Sequence, residues 1–297
     1  AGRAETALTK GKAKRTVGVI YIGDKSSASK QDIFKDTLAG ICNECSQNEV
    51  NVNMITMSAS DEYVNEDELE QKIMSSGVDG VIVITCIPRL RGFKRLSERQ
   101  YPIVFIGSRR LAEWDKPLHS VASDNFEGGA AATEYLLSLG HRSIAVVLSD
   151  CPTPWEIDRM NGFFSAMRAA GVTVGDEAVI HVSRQFNPNE EGWRRLNDRQ
   201  ATGVFTTNSI IGHLALLYAR SSGKRIPEQM SLITFDDSAS FPFEDPPITI
   251  IEQDMEELGI ISAKMLADLI EKPGQPARQV LISTKLVVRE SCSPPHR

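Results

Sequence analysis

The stretch Asp124-Asn-Phe-Glu-Gly-Gly-Ala130 through Leu139-Gly-His-Arg-Ser-Ile-Ala-Val-Val-Leu148 decides the fold class. It reads as a helix from Asp124 to Leu139, closed by Gly140 in the position favoured just past a helix C-terminus. A β-branched strand from Ser143 to Leu148 follows. Downstream lie a helix with Met160, Phe163, Phe164 and Met167 on one stripe, stopped by Gly171, and strands at Ala178 to Val182 and Gly203 to Thr206. A helix carrying Ile211, Leu214, Ala215 and Tyr218 ends at Gly223, before a strand from Ser231 to Phe235. The chain closes with a strand at Ile248 to Ile251, a helix from Asp254 with Glu257 placed for a capping box, and a run from Val280 to Arg289.

Upstream the same alternation begins earlier. Val17 to Ile22 reads as a strand, followed by a helix with Phe34, Leu38, Ile41 and Cys45 on one face. Then come Val50 to Thr56, a helix ending near Gly77, Gly80 to Ile84, a short helix, and Pro102 to Ile106. Short strands alternating with helices are the pattern of parallel sheets covered by helices. Two such series predict an α/β chain of two similar lobes, each a doubly wound, mostly parallel sheet flanked by helices.

Composition narrows the function. The 297 residues are 41% hydrophobic, ample for two buried cores. A net charge of −6 argues against broad, non-specific binding to DNA or a membrane surface by this piece alone. No apolar run approaches the roughly 20 residues that span a bilayer, and Ala1 to Arg15 has no apolar stretch to serve as a signal peptide, so a cytoplasmic chain is expected. The five cysteines (Cys42, Cys45, Cys86, Cys151, Cys292) are odd in number and scattered, and outline no disulfide framework. Cys42-Asn-Glu-Cys45 has redox spacing but lies inside a helical run, where plain packing or partial exposure is expected.

Catalytic patterns are missing. Gly18-Val-Ile-Tyr-Ile-Gly23-Asp-Lys-Ser26 approaches a P-loop, but Asp24 intrudes before the lysine and the first glycine sits inside a strand. No G-x-G-x-x-G follows a strand, and neither G-x-S-x-G nor H-E-x-x-H occurs. Five dispersed histidines suggest no metal site. Asp236 and Asp237 are adjacent on an extended chain and so point to opposite faces, a poor acid/base dyad. No enzyme activity, cofactor or metal is expected.

Five segments in order carry a resemblance. Val121-Ala-Ser-Asp-Asn-Phe-Glu-Gly-Gly-Ala130 running into Leu139-Gly-His-Arg-Ser-Ile-Ala145, Arg159-Met-Asn-Gly-Phe163, and Ile226 to Asp237 are similar to hallmark stretches of the lactose-repressor/galactose-repressor family. So are Pro246 to Gly259 and Leu286 to Ser291. The resemblance implies a periplasmic-binding-protein-like architecture of type I, with three crossover strands joining the lobes. Lobe limits are then expected at residues 16–121 plus 252–281 and 122–251 plus 282–297, after a hinge or linker remnant at 1–15. Family members begin with a helix-turn-helix head. Here Ala4 to Leu8, ahead of Lys10 to Arg15, resembles only the tail of the hinge helix, so the head is expected to be missing. Thr234 departs from the family's usual glycine.

The function implied is an effector-binding, dimerising core of a transcriptional regulator. It would sense a small polar ligand, carbohydrate first and a purine-like metabolite second, in the cleft between the lobes. The partners implied are the effector, operator DNA through the missing head, and a second copy in a homodimer joined through first-lobe helices. A solute-binding protein of a sugar transport system is the alternative.

Ligand in such folds lies past the C-terminal ends of strands. Arg159 matches a cleft arginine, against a surface ion pair. Asp236 matches an acidic ligand contact, against a turn cap; Asn208 follows a strand and could equally cap the next helix. Trp155, Phe186 and Phe34 match cleft-lining positions, with core packing the alternative for Phe34. Met255 suits packing, and Asp124 and Asn125 suit capping. Asp24 and Arg109 fall on cleft-facing loops.

Overall fold

The structure is a computed structural model in which residues 15–22, 28–56, 66–85, 93–107 and 116–295 are described. Residues 1–14 of the segment expected to be a hinge remnant, Asp24 and Arg109 lie outside the described residues. The chain divides into two compact units, one built mainly from Phe34–Val121 and Met255–Gln279, the other from Ala122–Asp254 and Val280–Arg297. From Phe34 onward it passes between units three times, at Val121–Ala122, Asp254–Met255 and Gln279–Val280.

The first unit's sheet has the order β11-β5-β4-β3-β1-β2. Its strands are β1 (Thr16–Ile22), β2 (Asn51–Thr56), β3 (Gly80–Thr85), β4 (Ile103–Ile106), β5 (Ser120–Ser123) and β11 (Gln279–Ile282). Strands β1 to β5 pair in parallel throughout. Helices α1 (Ala28–Gln47), α2 (Glu66–Ser75), α3 (Lys94–Glu98) and α8 (Met255–Glu271) flank it.

The second sheet repeats the plan in the order β12-β10-β9-β8-β6-β7. Here β6 is Ile144–Ser149, β7 Val179–Val182, β8 Gly203–Thr206, β9 Ser231–Phe235, β10 Thr249–Glu252 and β12 Lys285–Val287. All pair in parallel except β12, which closes the edge antiparallel to β10. Helices α4 (Asn125–Ser138), α5 (Pro154–Ala169), α6 (Glu191–Asp198) and α7 (Ser209–Ser222) complete it.

The apolar run in β6 is continuous because both faces of its strand are covered. Ile144, Val146 and Leu148 pack with Phe163, Met167 and Phe235 on one side, while Ala145 and Val147 join Trp193, Ile211 and Tyr218 on the other. The expected stripe of Ile211, Leu214, Ala215 and Tyr218 on α7 is buried.

Two pairs of glycines set helix crossings. A Cβ on Gly129 of α4 would lie 2.1 Å from the Arg159 carbonyl oxygen, and one on Gly162 of α5 would lie 2.1 Å from that of Phe126. The α4 and α5 backbones therefore touch, which no side chain would permit. Gly40 and Gly259 do the same for α1 and α8, meeting the carbonyls of Glu256 and Thr37 at 2.1 and 2.2 Å.

The run Val280 to Arg289 is not one element. The structure splits it into β11 and β12, which belong to different sheets. Strand β5 and helix α6 were not foreseen in the sequence.

Candidate functional site

In a sheet of this order, the strand order switches sides between β6 and β8, and the crevice at their C-terminal ends is where ligands bind. The second unit places a set of buried and half-buried polar residues there. Ser149 ends β6, Thr207 and Asn208 follow β8, Asp236 follows β9, and Gln253 follows β10.

Helix α5 starts at this edge and supplies two charged groups. Its N-cap Thr153, Pro154 at the first helical position and Glu156 at the third make a capping box, in which Glu156 accepts from the Thr153 backbone N at 2.9 Å. Glu156 is 1% exposed and accepts further bonds from the hydroxyls of Ser149, Thr153 and Thr207 and from Asn208 Nδ2, at 2.9–3.2 Å. Burial pushes its pKa up. The backbone and hydroxyl donors of Thr153 and Ser149 outweigh that and hold it below the ordinary carboxylate value. The result is a buried carboxylate that ties the β6–α5 and β8–α7 connections together.

One turn along α5, Arg159 is 3% exposed. Its Nε donates to Asn125 Oδ1 at 2.8 Å, and Nη1 donates to the Thr207 carbonyl at 2.6 Å and to Asp236 Oδ2 at 3.4 Å. The guanidinium carbon sits 3.5 Å from the centre of the Phe235 ring. Burial lowers its pKa, opposed by the Asp236 and then the Glu156 carboxylate; an arginine so placed stays charged. Among the described residues Nη2 has no hydrogen-bond partner. The Gly129–Gly162 crossing makes this geometry, since it brings Asn125 at the start of α4 against Arg159.

Asp236 completes the pair. Its backbone lies at φ +70°, a left-handed conformation that is costly for a residue with a Cβ and concentrates at functional sites. Its side chain is 11% exposed and also accepts from Gln253 Nε2.

The other expected residues sort as follows. Asn208 caps α7 by accepting from Ile211 N at 2.9 Å while its amide donates to Glu156, so both of its ends are engaged. Trp155 is half-buried on the first turn of α5. Phe186 is half-buried and packs against the core beneath β7 and α6. Phe34 belongs to the first unit, half-buried with its ring 4.4 Å from that of Tyr21. Asp124 caps α4 by accepting from Glu127 N. Arg159, Asp236, Asn208 and Trp155 thus share one edge of one unit. Glu156 and Gln253 join them, unforeseen. Thr153-x-x-Glu156 is a legible capping-box signal; Gln253 carries none.

The comparisons agree with this architecture. The profile of periplasmic binding protein-like domains matches residues 133–292. The chain belongs to that family, in the branch carried by LacI-family helix-turn-helix transcriptional regulators. It is 30% identical to the regulator CelR of Thermobifida fusca over 77% of the chain and 67% of that protein. It is 29% identical to the regulator DegA of Bacillus subtilis, over 83% and 73% respectively. Among solved structures it resembles a CelR–cellobiose complex (TM-score 0.76, 27% identity, 94% of this chain and 85% of that one). A LacI family regulator from Enterococcus faecium with bound ribose is similar too (TM-score 0.74, 26% identity, 94% and 99%). Among the described residues, no helix is long and apolar enough to cross a membrane and no cluster of metal-ligating side chains occurs.

Proposed function

We propose that this chain is the effector-sensing, dimerising core of a DNA-binding transcriptional regulator, and that its effector is a neutral sugar gripped by Arg159 and Asp236. The observation that carries the reading is a buried, oriented arginine, its Nη2 without a partner among the described residues, beside a carboxylate held in strained backbone. A guanidinium N–H and a carboxylate oxygen side by side suit neighbouring hydroxyls, which both donate and accept. Charge supports the choice. Glu156 and Asp236 outnumber Arg159, so an added phosphate or carboxylate would meet net repulsion.

The sugars in the names of two structural relatives, cellobiose and ribose, support the same class. The shared character of its relatives as regulators favours this role over solute capture for transport. Effector occupancy then acts by shifting the population between states of different operator affinity. Thermal-shift screening against neutral mono- and disaccharides, sugar phosphates and purines tests the reading. A neutral sugar should stabilise the protein by several degrees; stabilisation by phosphorylated or purine ligands alone would overturn it.

A further inference from the structure

The first unit holds a pocket of about 190 Å³ at the amino edge of its sheet, the edge at which β4 and β5 begin. It is formed by the end of α3 and the residues after it, the start of β4, the approach to β5, and the turn that follows α8. This is the opposite edge from the carboxyl ends where ligands of such sheets bind.

Its walls are of two kinds. Pro102, Ile103, Pro117, Leu118, Leu269 and Pro273 give it an apolar body, and the prolines offer flat C–H faces with no N–H to satisfy. The polar groups divide by whether the protein already uses them. Tyr101 donates its hydroxyl to the Val78 carbonyl at 2.8 Å, and His119 Nδ1 accepts from the Arg278 backbone N at 3.2 Å. Burial, and then the neighbouring Arg278, hold His119 below its ordinary pKa, so it lines the pocket as a neutral ring. The side chains of Ser97, Gln100 and Lys116 have no hydrogen-bond or ion-pair partner among the described residues.

Among the described residues no Asp or Glu lines the pocket, in a chain whose acidic residues outnumber its basic ones by 39 to 33. Just behind His119, Ser120 and Arg278 pair through the backbone at 2.9 Å, and each has a buried side-chain polar atom without a partner. The space corresponds to roughly six water volumes, enough for one ring or a short branched chain.

We propose that this pocket is a second binding site, for a compact carboxylate with an apolar body: the body packs among the proline and leucine faces, and the carboxylate meets Lys116 with Ser97 and Gln100. The site does not depend on the sugar reading, because it lies in the other unit and takes an anion.

Benzoate is the probe and benzamide, its uncharged counterpart, the control. Methyl NMR of the whole chain reads Ile103, Leu118 and Leu269 directly while calorimetry gives the affinity. Benzoate should shift those methyls saturably, benzamide should bind at least about fivefold more weakly, and Lys116→Ala should weaken benzoate about fivefold, the range of an exposed charge contact. Lys116 is exposed, so the variant keeps the fold. No saturable shift at these methyls, equal affinity for benzamide, or benzoate binding unchanged in Lys116→Ala would each overturn the proposal.

Discussion

Replacing Glu156 with Gln tests whether one buried carboxylate holds the site edge together. The side chain keeps its shape, but one oxygen becomes an NH2 group. At least one of its present donors (Thr153 N, the Ser149, Thr153 and Thr207 hydroxyls, Asn208 Nδ2) then faces another donor. Bonds to a charged acceptor contribute about 1.5–3 kcal/mol each, neutral ones roughly half that, and an orphaned buried donor costs about 1–3 kcal/mol. The expected loss is about 2–4 kcal/mol, confined to the second unit. Urea unfolding measures it, with amide exchange in β6 and β8 reporting that unit separately, since a two-unit chain need not unfold in one step. The pH dependence gives a second check. The folded pKa of Glu156 is lowered, so its stabilisation is complete above the unfolded carboxyl value, about 4.3, and is lost as pH falls through the folded one. The difference between wild type and variant should therefore shrink in acid. A variant within about 0.5 kcal/mol of wild type at pH 7, the usual range for innocuous surface changes, would refute the reasoning.

Gly129→Ala forces the α4 and α5 backbones apart and should cost about 1–3 kcal/mol; a melting temperature equal to wild type would contradict the close crossing. His141 accepts from Thr202 Oγ1 through Nδ1 and meets Ser231 Oγ and the Ser293 carbonyl through Nε2. Burial lowers its pKa against the smaller opposing effect of Ser293, so its stabilisation is full above about pH 6.5 and lost as pH falls toward the folded value. Urea titrations should show that acid limb in wild type and a flatter one in His141→Asn. Sedimentation at micromolar concentration should show a species of twice the 32.7 kDa chain mass, and Phe243→Glu, at a side chain 88% exposed on the second unit, distinguishes a contact there from one through first-unit helices.

Much of the fold was legible because both sheets alternate short apolar strands with helices whose buried faces keep helical spacing. What escaped notice has physical reasons. β5 is four small or β-branched residues, Ser-Val-Ala-Ser, too short to show a period. The eight residues of α6 bury only Gly192, Trp193 and Leu196. Val280 to Arg289 alternates like one strand, and the hand-over between sheets at Ser283 and Thr284 leaves no mark in residue type. For the candidate site, strand ends pointed to Asp236 and Asn208, and the family resemblance to Arg159. Whether an arginine past a strand is bound or free depends on partners from distant segments, here Asn125 and Thr207. Glu156 was hidden because its capping signal explains it locally, while its bonds to Thr207 and Asn208 are tertiary.

The central claim is that Arg159 and Asp236 hold a neutral sugar. It is tested most directly by calorimetric titration of the best sugar from the screen into wild type and Asp236→Asn. That substitution keeps the size of the side chain and leaves one oxygen to face Arg159. A charged hydrogen bond to the sugar contributes about 1.5–3 kcal/mol, so the variant, still folded, should bind at least tenfold more weakly. Unchanged sugar affinity in a folded Asp236→Asn protein would contradict the account.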